Sequence, residues 1–300
     1  MKHARVLAKQ WGGMLGEMAG LRDAEPSRPA PGPGPCPMQW ASASFGASWL
    51  GHATCLFRLG GMTVLTDPHF SPRSGTRIAG VNIGRTRSTS LPQRVEQLPH
   101  IDLILLSHAH MDHWDKPTLR RLAQSQPNAT VVVPARTRGL LPRGFTDVRT
   151  LGWDDTLGVD GVELAALKPN HWGARYFWDR HRGYNAYVID APGKRVVFGG
   201  DTADTDAFDH LDDVAVAAIG IGNYYEPWHL HHANPEQAAA MARRMGAHLL
   251  MPVHHSTFRD PSEPIDEPIT RLRRAWDPTR IVCAQVGEVH LEDSPLRATG

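Results

Sequence analysis

Three histidines and one aspartate stand within six residues, at His108, His110, Asp112 and His113, directly after the apolar run 103–106. Alternate residues of an extended chain point the same way, so His108 and His110 would lie side by side at the end of a buried strand. Asp112 and His113 follow on the next turn of backbone and can face a second ion. Imidazole and carboxylate donors without cysteine suit zinc or another first-row divalent metal in a catalytic site. The segment therefore predicts a metal centre rather than a solvated loop.

A single loop with four donors cannot complete the coordination of two metal ions, so further ligands must come from elsewhere. Three later residues are suitable donors: His171, Asp201 and His254. Each ends an apolar, strand-like run, and these runs cover residues 162–167, 195–198 and 248–253. We therefore expect the donors to gather along one edge of a sheet.

The elements that must position these donors follow from hydrophobic periodicity and turn residues. Strands are predicted near residues 45–50, 54–59, 62–66, 102–107, 130–134, 162–168, 185–190, 194–199 and 214–220. Helices are predicted near residues 116–124, 204–210, 235–245 and 265–275, with Asn234 as a cap and Pro235 in the first turn. Strands alternating with helices, with two sets of strands delivering donors, predict an α/β fold arranged as an αβ/βα sandwich.

Length and charge limit the organisation and the partners. A chain of 300 residues with 41% hydrophobic content can bury one substantial core, so residues 39–300 are interpreted as a single catalytic domain. Lys and Arg number 32 against 31 for Asp and Glu, and this balance argues against nucleic-acid binding. Three widely spaced cysteines argue against a disulfide framework and favour a cytoplasmic location.

Residues 1–38 form a separate N-terminal arm in this interpretation. Apolar residues three or four apart between Leu7 and Leu21 predict a short amphipathic helix, which interspersed glycines weaken. Residues 25–37 are rich in Pro and Gly and predict an extended tether. Two roles stay open for the helix: docking on this protein or on a second copy in a homo-oligomer, and peripheral membrane contact. No run approaches the roughly 20 apolar residues of a spanning helix.

The pattern His-x-His-x-Asp-His at residues 108–113 resembles the signature of the metallo-β-lactamase fold superfamily. Within that superfamily, further motifs resemble the branch of N-acyl-phosphatidylethanolamine-hydrolysing phospholipase D. They are WLGHAT at 49–54, LTDP at 65–68, NHW at 170–172, GDT at 200–202, NPEQA at 234–238 and HHSTF at 254–258. The similarity extends from about Trp49 to about His290.

This resemblance implies two zinc ions, with Mn²⁺ or Fe²⁺ as alternatives. It assigns one ion to His108, His110 and His171, and the other to Asp112, His113 and His254. Asp201 would bridge them, and a hydroxide shared by the ions would act as the nucleophile near neutral pH. Flavodiiron relatives carry an acid near the second histidine, where this chain has Ala109 and Met111, so hydrolysis is favoured over redox chemistry.

Other residues are candidates for supporting roles. Asp112 and His232 are the catalytic candidates, and His232 corresponds to a histidine that lines the active site in the phospholipase branch, although a helix-entry role stays open. His52 and Asp67 are expected to brace the metal ligands from behind. Two more residues, Arg175 and Tyr225, are candidates for substrate contact, since a guanidinium suits a phosphate.

Substrate choice is expected to depend on the loop 221–232 and on an aromatic group formed by Trp172, Tyr176, Phe177 and Trp178. The leading hypothesis is a dinuclear zinc hydrolase acting on a phospholipid-like or other small phosphodiester. A lactonase or another small-molecule metallohydrolase is the alternative among enzymes. An inactive metal-binding regulatory or scaffold protein is the alternative of another class, and the complete donor set argues against it.

Overall fold

The computed structural model describes residues 28–78, 81–176 and 178–293. Its helices are α1 (Pro37–Ser42), α2 (Lys116–Ser125), α3 (Pro235–Arg244) and α4 (Glu267–Ala275). Its strands are β1 (Ala43–Gly51), β2 (Thr54–Leu59), β3 (Met62–Thr66), β4 (Arg73–Ile78), β5 (Val81–Thr86), β6 (Leu103–Leu105), β7 (Thr130–Pro134), β8 (Asp147–Leu151), β9 (Thr156–Val159), β10 (Val162–Leu167), β11 (Ala186–Ala191), β12 (Lys194–Phe198), β13 (Val216–Gly220), β14 (Leu249–Val253) and β15 (Val289–Asp293). The amphipathic helix expected between Leu7 and Leu21 lies outside the described residues. Within the described ranges, no helix is long and apolar enough to cross a bilayer.

The first sheet has seven strands in the order β15-β1-β2-β3-β6-β7-β8. Neighbouring strands from β15 to β3 are antiparallel, whereas β3, β6, β7 and β8 are parallel. Strand β6 is short, apolar and buried, as expected for a central strand that is covered on both faces. The chain that follows β6 therefore leaves from the middle of one edge of the sheet.

The second sheet has six strands in the order β14-β13-β12-β11-β10-β9. Strands β12, β13 and β14 are parallel, and β10 and β12 each pair antiparallel with β11, so β10, β12 and β14 all point the same way. His171, Asp201 and His254 follow the ends of these three strands. The topology thus brings them to one edge of the second sheet.

The two sheets pack face to face, and helices cover their outer faces. Apolar side chains from β1 to β3, β6 and β10 to β14 fill the space between the sheets, with Phe57, Tyr187 and Phe198 among the largest. Helix α2 packs on the outside of the first sheet through Leu119 and Leu122. Helices α3 and α4 pack on the outside of the second sheet in the same way. This order of layers confirms the predicted αβ/βα sandwich.

Helices α2 and α3 begin at side-chain caps. The Asp115 carboxylate accepts the backbone N–H of Thr118 at 3.3 Å. Asn234 accepts the N–H of Gln237 at 2.9 Å, and the Gln237 side chain accepts the N–H of Asn234 in return. The predicted cap at Asn234 is therefore confirmed as a reciprocal capping box.

The helix predicted at residues 204–210 is wrong, because this segment forms turns. The Asp204 and Asp209 carboxylates accept hydrogen bonds from Arg244 on α3 at 3.0 and 2.7 Å, and Arg244 also donates to the carbonyl of Thr205. These contacts to α3 hold the chain in a turn. The structure also has a β4–β5 hairpin and strands β8, β9 and β15 that the periodicity does not predict.

The described part of the Pro- and Gly-rich tether lies against the domain. The N–H groups of Gly32 and Gly34 donate to the carbonyls of Val286 and Gly287 at 3.0 and 2.9 Å. A Cβ at Gly32 would lie 2.2 Å from the carbonyl carbon of Gly287, so only glycine permits this approach.

Candidate metal centre

The segment 107–114, which we call the ligand loop, follows β6. It turns back on itself directly after its first two histidines, His108 and His110. The N–H groups of His113 and Trp114 both donate to the carbonyl of His110, at 3.2 and 2.9 Å. This tight turn places Asp112 and His113 on a different side of the loop from His108 and His110. Two donor groups result from one short segment.

The first donor group contains His108, His110, His171 and Asp201, whose ligand atoms all lie within 4.8 Å of one another. His108 Nε2 lies 2.8 Å from His110 Nδ1, which in turn lies 3.3 Å from His171 Nε2. Asp201 Oδ2 lies 3.8 Å from both His108 Nε2 and His171 Nε2.

The second donor group contains His52, Asp112, His113 and His254. Asp112 Oδ2 lies 2.9 Å from His52 Nε2, 3.6 Å from His254 Nε2 and 3.8 Å from His113 Nε2. The imidazoles of this group are buried, whereas the Asp112 side chain is 26% exposed. Asp112 therefore marks the side from which solvent and substrate reach the group.

Asp201 lies between the two groups. In addition to its contacts in the first group, its Oδ2 is 3.1 Å from His113 Nε2 and its Oδ1 is 3.2 Å from His254 Nε2. The preceding Gly200 has φ +56°, and a Cβ there would lie 2.9 Å from Ser107 Cβ. Glycine thus lets the turn after β12 bring the Asp201 carboxylate close to the ligand loop.

Hydrogen bonds on the far side of several imidazoles fix which nitrogen faces the centre. His171 Nδ1 donates to the carbonyl of His231 at 3.0 Å, and His113 Nδ1 donates to Asp67 Oδ2 at 2.6 Å. His108 Nδ1 donates to Ser107 Oγ at 2.9 Å. In each neutral ring the Nε2 lone pair then faces the centre, as a metal ligand requires.

The electrostatics of the centre favour a cation. Burial lowers the pKa of His108 and His171 and keeps these rings neutral. Burial also opposes protonation of His254, yet the Asp201 and Asp112 carboxylates raise its pKa to about 9. Nearby His113 has its pKa raised for the same reason, because the neighbouring aspartates outweigh burial. The second group is thus a region of negative potential.

These residues fit two metal ions. The buried ligand atoms His113 Nε2, His254 Nε2 and Asp201 Oδ1 make no hydrogen bond of good angular geometry among the described residues, although they lie near one another. The Nε2 atoms of His108 and His171 both face His110 Nδ1, at 2.8 and 3.3 Å, so three imidazole nitrogens converge in the first group. Orphaned buried atoms of this kind cost free energy unless a ligand satisfies them, and imidazole with carboxylate is a donor set that divalent first-row metals accept.

The supporting residues lie at different distances from the centre. The ring of His232 stacks on His254, and its Nε2 lies 3.2 Å from Asp201 Oδ2. Asp67 contacts the ligand His113, and His52, a member of the second donor group, contacts the Asp112 carboxylate. His255 lies next to His254, but its ring stacks on Trp49 with centroids 4.5 Å apart, and Nδ1 contacts Ser256.

The two substrate candidates contact protein groups. Arg175 Nη1 donates to the carbonyl of Trp114 at 2.6 Å and braces the ligand loop from outside. The Tyr225 hydroxyl donates to Glu267 on α4 at 2.6 Å.

Sequence reasoning missed Ser107 and the carbonyl of His231 as supports of the imidazoles. A serine directly before the first histidine is a weak signal, and a backbone carbonyl gives none.

Comparison with known proteins agrees with this geometry. A family model described as a beta-lactamase superfamily domain matches residues 62–255, which is more than half of the chain. N-acyl-phosphatidylethanolamine-hydrolyzing phospholipase D 1 of Caenorhabditis elegans is 28% identical over 269 residues, which cover 81% of this chain and 74% of that protein. A metal-dependent hydrolase of Methanoculleus marisnigri is 27% identical over 219 residues, which cover 70% and 81%.

A solved structure has the same fold. The structure of a possible metal-dependent hydrolase from Veillonella parvula superposes with a TM-score of 0.62 at 17% identity, covering 83% of this chain and 99% of that chain. The family match, the sandwich and the clustered His and Asp side chains agree with one another. The chain belongs to the metallo-β-lactamase fold superfamily, as a metal-dependent hydrolase that resembles the N-acyl-phosphatidylethanolamine-hydrolysing phospholipase D branch.

Proposed function

We propose that this protein is a dinuclear zinc hydrolase that cleaves a phospholipid-like or other small phosphodiester. The observation that carries this proposal is the position of Asp201, whose carboxylate lies within 3.8 Å of ligand nitrogens in both donor groups. A carboxylate shared in this way would be suited to contact two metal ions. The similarity to the Caenorhabditis elegans protein, a phospholipase D, supports a phosphodiester as the substrate.

His108, His110 and His171 would hold one ion, and Asp112, His113 and His254 the other, with Asp201 between them. When bound, the two ions supply a water that ionises near neutral pH and withdraw electron density from the phosphoryl oxygens. The protein's own task is to fix the ligands. Ser107, Asp67 and the His231 carbonyl do this by orienting three of the imidazoles.

The surroundings of His232 support a role in proton transfer to the substrate. Its Nδ1 lies 3.2 Å from the carbonyl of Trp228, and its Nε2 faces Asp201. The side chain is 13% exposed, unlike the fully covered ligand His254. We infer that His232 gives a proton to the leaving oxygen of the phosphodiester, a role that suits an imidazole near neutral pH.

Trp172 lines the approach to the first donor group. Its ring lies edge-on to His110 with centroids 4.5 Å apart, and the guanidinium of Arg180 lies 5.1 Å from the ring centre. An indole with a cation beside it suits a substrate that joins an apolar group to a phosphate. This arrangement favours a phospholipid-like ester over a small polar one.

Zinc-loaded protein should hydrolyse chromogenic phosphodiesters faster than a matched series of lactones. Asp201→Ala should abolish this turnover, while Asp206→Ala, at a surface position on the following turn, should leave it unchanged. Preferential turnover of the lactones would contradict the phosphodiester assignment. If no substrate in either series reacted in the metal-loaded protein, the hydrolase proposal itself would fail.

A further inference from the structure

We propose that the loop following His171 forms, together with the first turns of α2, a docking surface for an anionic lipid bilayer. We call this the basic-aromatic surface and define it by Tyr176, Trp178, Lys116, Arg120, Arg180 and Arg182. It includes none of the metal ligands. Binding to vesicles measures it without any turnover, so it is tested independently of the proposed function.

Two exposed aromatic side chains form the centre of this surface. The rings of Tyr176 and Trp178 are stacked, with centroids 4.8 Å apart and planes 12° from parallel. Tyr176 is 38% exposed and Trp178 is 66% exposed, which is unusual for side chains of this size. Tyr and Trp are the residues that favour the boundary between lipid headgroups and acyl chains.

Cationic residues are present in the same loop as the aromatic pair and on the first turns of α2. Lys116 and Arg120 lie four residues apart on α2 and therefore on one helix face. Arg175 donates to the carbonyl of Trp114, two residues before Lys116. Arg182 pairs with the same Asp179 carboxylate that accepts the N–H of Tyr176. In agreement with this proximity, burial and then the positive charges of Arg175, Arg120 and Arg182 lower the pKa of Lys116. The chain as a whole has a net charge of only +1, so this local excess is a property of the surface.

The acidic groups beside this surface are already engaged. The Asp179 carboxylate pairs with Arg182 Nε at 2.6 Å and accepts the N–H groups of Arg175 and Tyr176, both at 2.7 Å. The Asp115 carboxylate caps α2 and accepts the hydroxyl of Ser71 at 2.7 Å. Neither acid offers enough negative charge to balance the remaining cations.

The surface is fixed to the metal centre. The guanidinium of Arg175 donates to the carbonyl of Trp114, the residue that follows the ligands. Trp172, at the start of the same loop, contacts the ligand His110. A bilayer seated on the basic-aromatic surface would therefore lie close to the opening of the site.

Charge and chemistry together favour anionic lipid as the occupant. Lys and Arg near a bilayer surface are attracted to acidic headgroups, and one apolar anchor alone gives only weak, reversible binding. The basic-aromatic surface combines aromatic side chains that insert at the headgroup level with basic side chains that attract acidic headgroups. A protein partner would be expected to cover a larger area with more apolar contacts.

The test is cosedimentation of the full chain with vesicles. Wild type should bind phosphatidylcholine vesicles that contain phosphatidylglycerol, bind pure phosphatidylcholine vesicles much less, and lose binding as salt is added. Lys116→Glu with Arg120→Glu should lower the partition coefficient about tenfold, and Tyr176→Ala with Trp178→Ala should lower it by a similar factor. These side chains are exposed or half-buried, so folding should be preserved, and circular dichroism checks this.

Two matched controls are available on other faces. Arg273→Glu with Arg274→Glu makes the same change in charge on α4, which covers the opposite sheet, and Met38→Ala removes an 81% exposed apolar side chain from α1. Both control variants should bind vesicles like wild type. Equal losses in the controls would show that only net charge matters and would overturn the proposal. So would an unchanged partition of the surface variants, or a change confined to their oligomeric state.

Discussion

Asp67 Oδ2 lies 2.6 Å from His113 Nδ1, so a buried carboxylate accepts a hydrogen bond from an imidazole of the second donor group. The same oxygen accepts the hydroxyl of Ser107 at 2.5 Å, and that hydroxyl in turn accepts from His108 Nδ1, in the first donor group. One side chain therefore orients ligands of both groups. Asp67 thus links the two donor groups through hydrogen bonds on the side of the imidazoles that faces away from the centre. Asp201 links them on the side that faces the centre.

Replacing Asp67 should weaken metal binding at both positions. We expect Asp67→Asn to lower the affinity for zinc about 10–100-fold, because an amide stabilises the oriented imidazoles less than a carboxylate does. Competition with a chromophoric chelator measures this for each ion. Asp102→Asn, which changes a carboxylate bound to the N–H of Thr63, is the control and should leave zinc affinity unchanged. If Asp67→Asn lost only one ion, the hydrogen bonds from Asp67 through Ser107 to His108 would not contribute to metal binding.

The fully loaded protein should contain about two metal ions per chain, because seven donors exceed the four-coordinate requirement of one zinc ion. Elemental analysis after gentle dialysis, with zinc or manganese added back, tests the number. One ion in fully active protein would contradict the dinuclear site. Asp201→Ala should lower the content, whereas Asp206→Ala should not.

His232→Ala should slow turnover according to the leaving group. Because the ring is inferred to protonate the leaving oxygen, kcat should fall about 10²-fold or more for an alkyl ester and much less for a nitrophenyl ester, which needs little protonation. Zinc content should stay at the wild-type level. His229→Ala, an exposed histidine in the same loop, should behave as wild type in both assays.

Other results for His232→Ala would change its assignment. Loss of zinc would make His232 a ligand, which its 3.2 Å contact with Asp201 permits. Wild-type rates on both esters would leave it a helix-entry residue.

Glu263 should make folding stability depend on pH. Burial raises the pKa of this carboxyl to about 7, although the N–H groups of Asn223 and Tyr224 donate to it and act in the opposite direction. The folded state thus keeps a proton that the unfolded chain releases. The contribution of Glu263 to the free energy of unfolding is therefore largest below the unfolded pKa and falls as pH rises towards about 7, by at most about 1.4 kcal/mol per pH unit.

Glu263→Gln removes this titration and keeps an oxygen acceptor. The variant minus wild-type difference in the free energy of unfolding should grow from about pH 5 to about pH 7 and then level off. Urea unfolding at several pH values measures it, and the metal site contributes equally to both proteins. A difference that is constant with pH would show that the carboxyl is ionised throughout.

The parts of the fold that position the centre could be predicted from sequence because they obey simple rules. Strand β6 and strands β10, β12 and β14 are apolar runs that end at His or Asp, and the capping box at Asn234 is a local pattern. Alternation along an extended strand also put His108 beside His110. Each of these inferences needs only neighbouring residues.

The missed parts depend on contacts between distant residues. The β4–β5 hairpin is rich in Arg, Gly and Thr, and its Arg85 is held by Asn223 and the carbonyl of Phe258, far along the chain. Strand β15 pairs with β1 across almost the whole sequence. His52 was expected behind the ligands, and its Nε2 lies 2.9 Å from the Asp112 carboxylate because the turn after β1 and the ligand loop meet only in the folded protein.

The two sheets have separate hydrogen-bond ladders, and each supplies part of the donor set: His108, His110, Asp112 and His113 follow β6, whereas His171, Asp201 and His254 follow strands of the other sheet. Bound ions would thus act as a cross-link between two sheets that share no strand. Unfolding of either sheet would release both ions. The melting temperature should therefore rise with zinc concentration. A chelator should weaken the packing between the two sheets before either sheet itself unfolds.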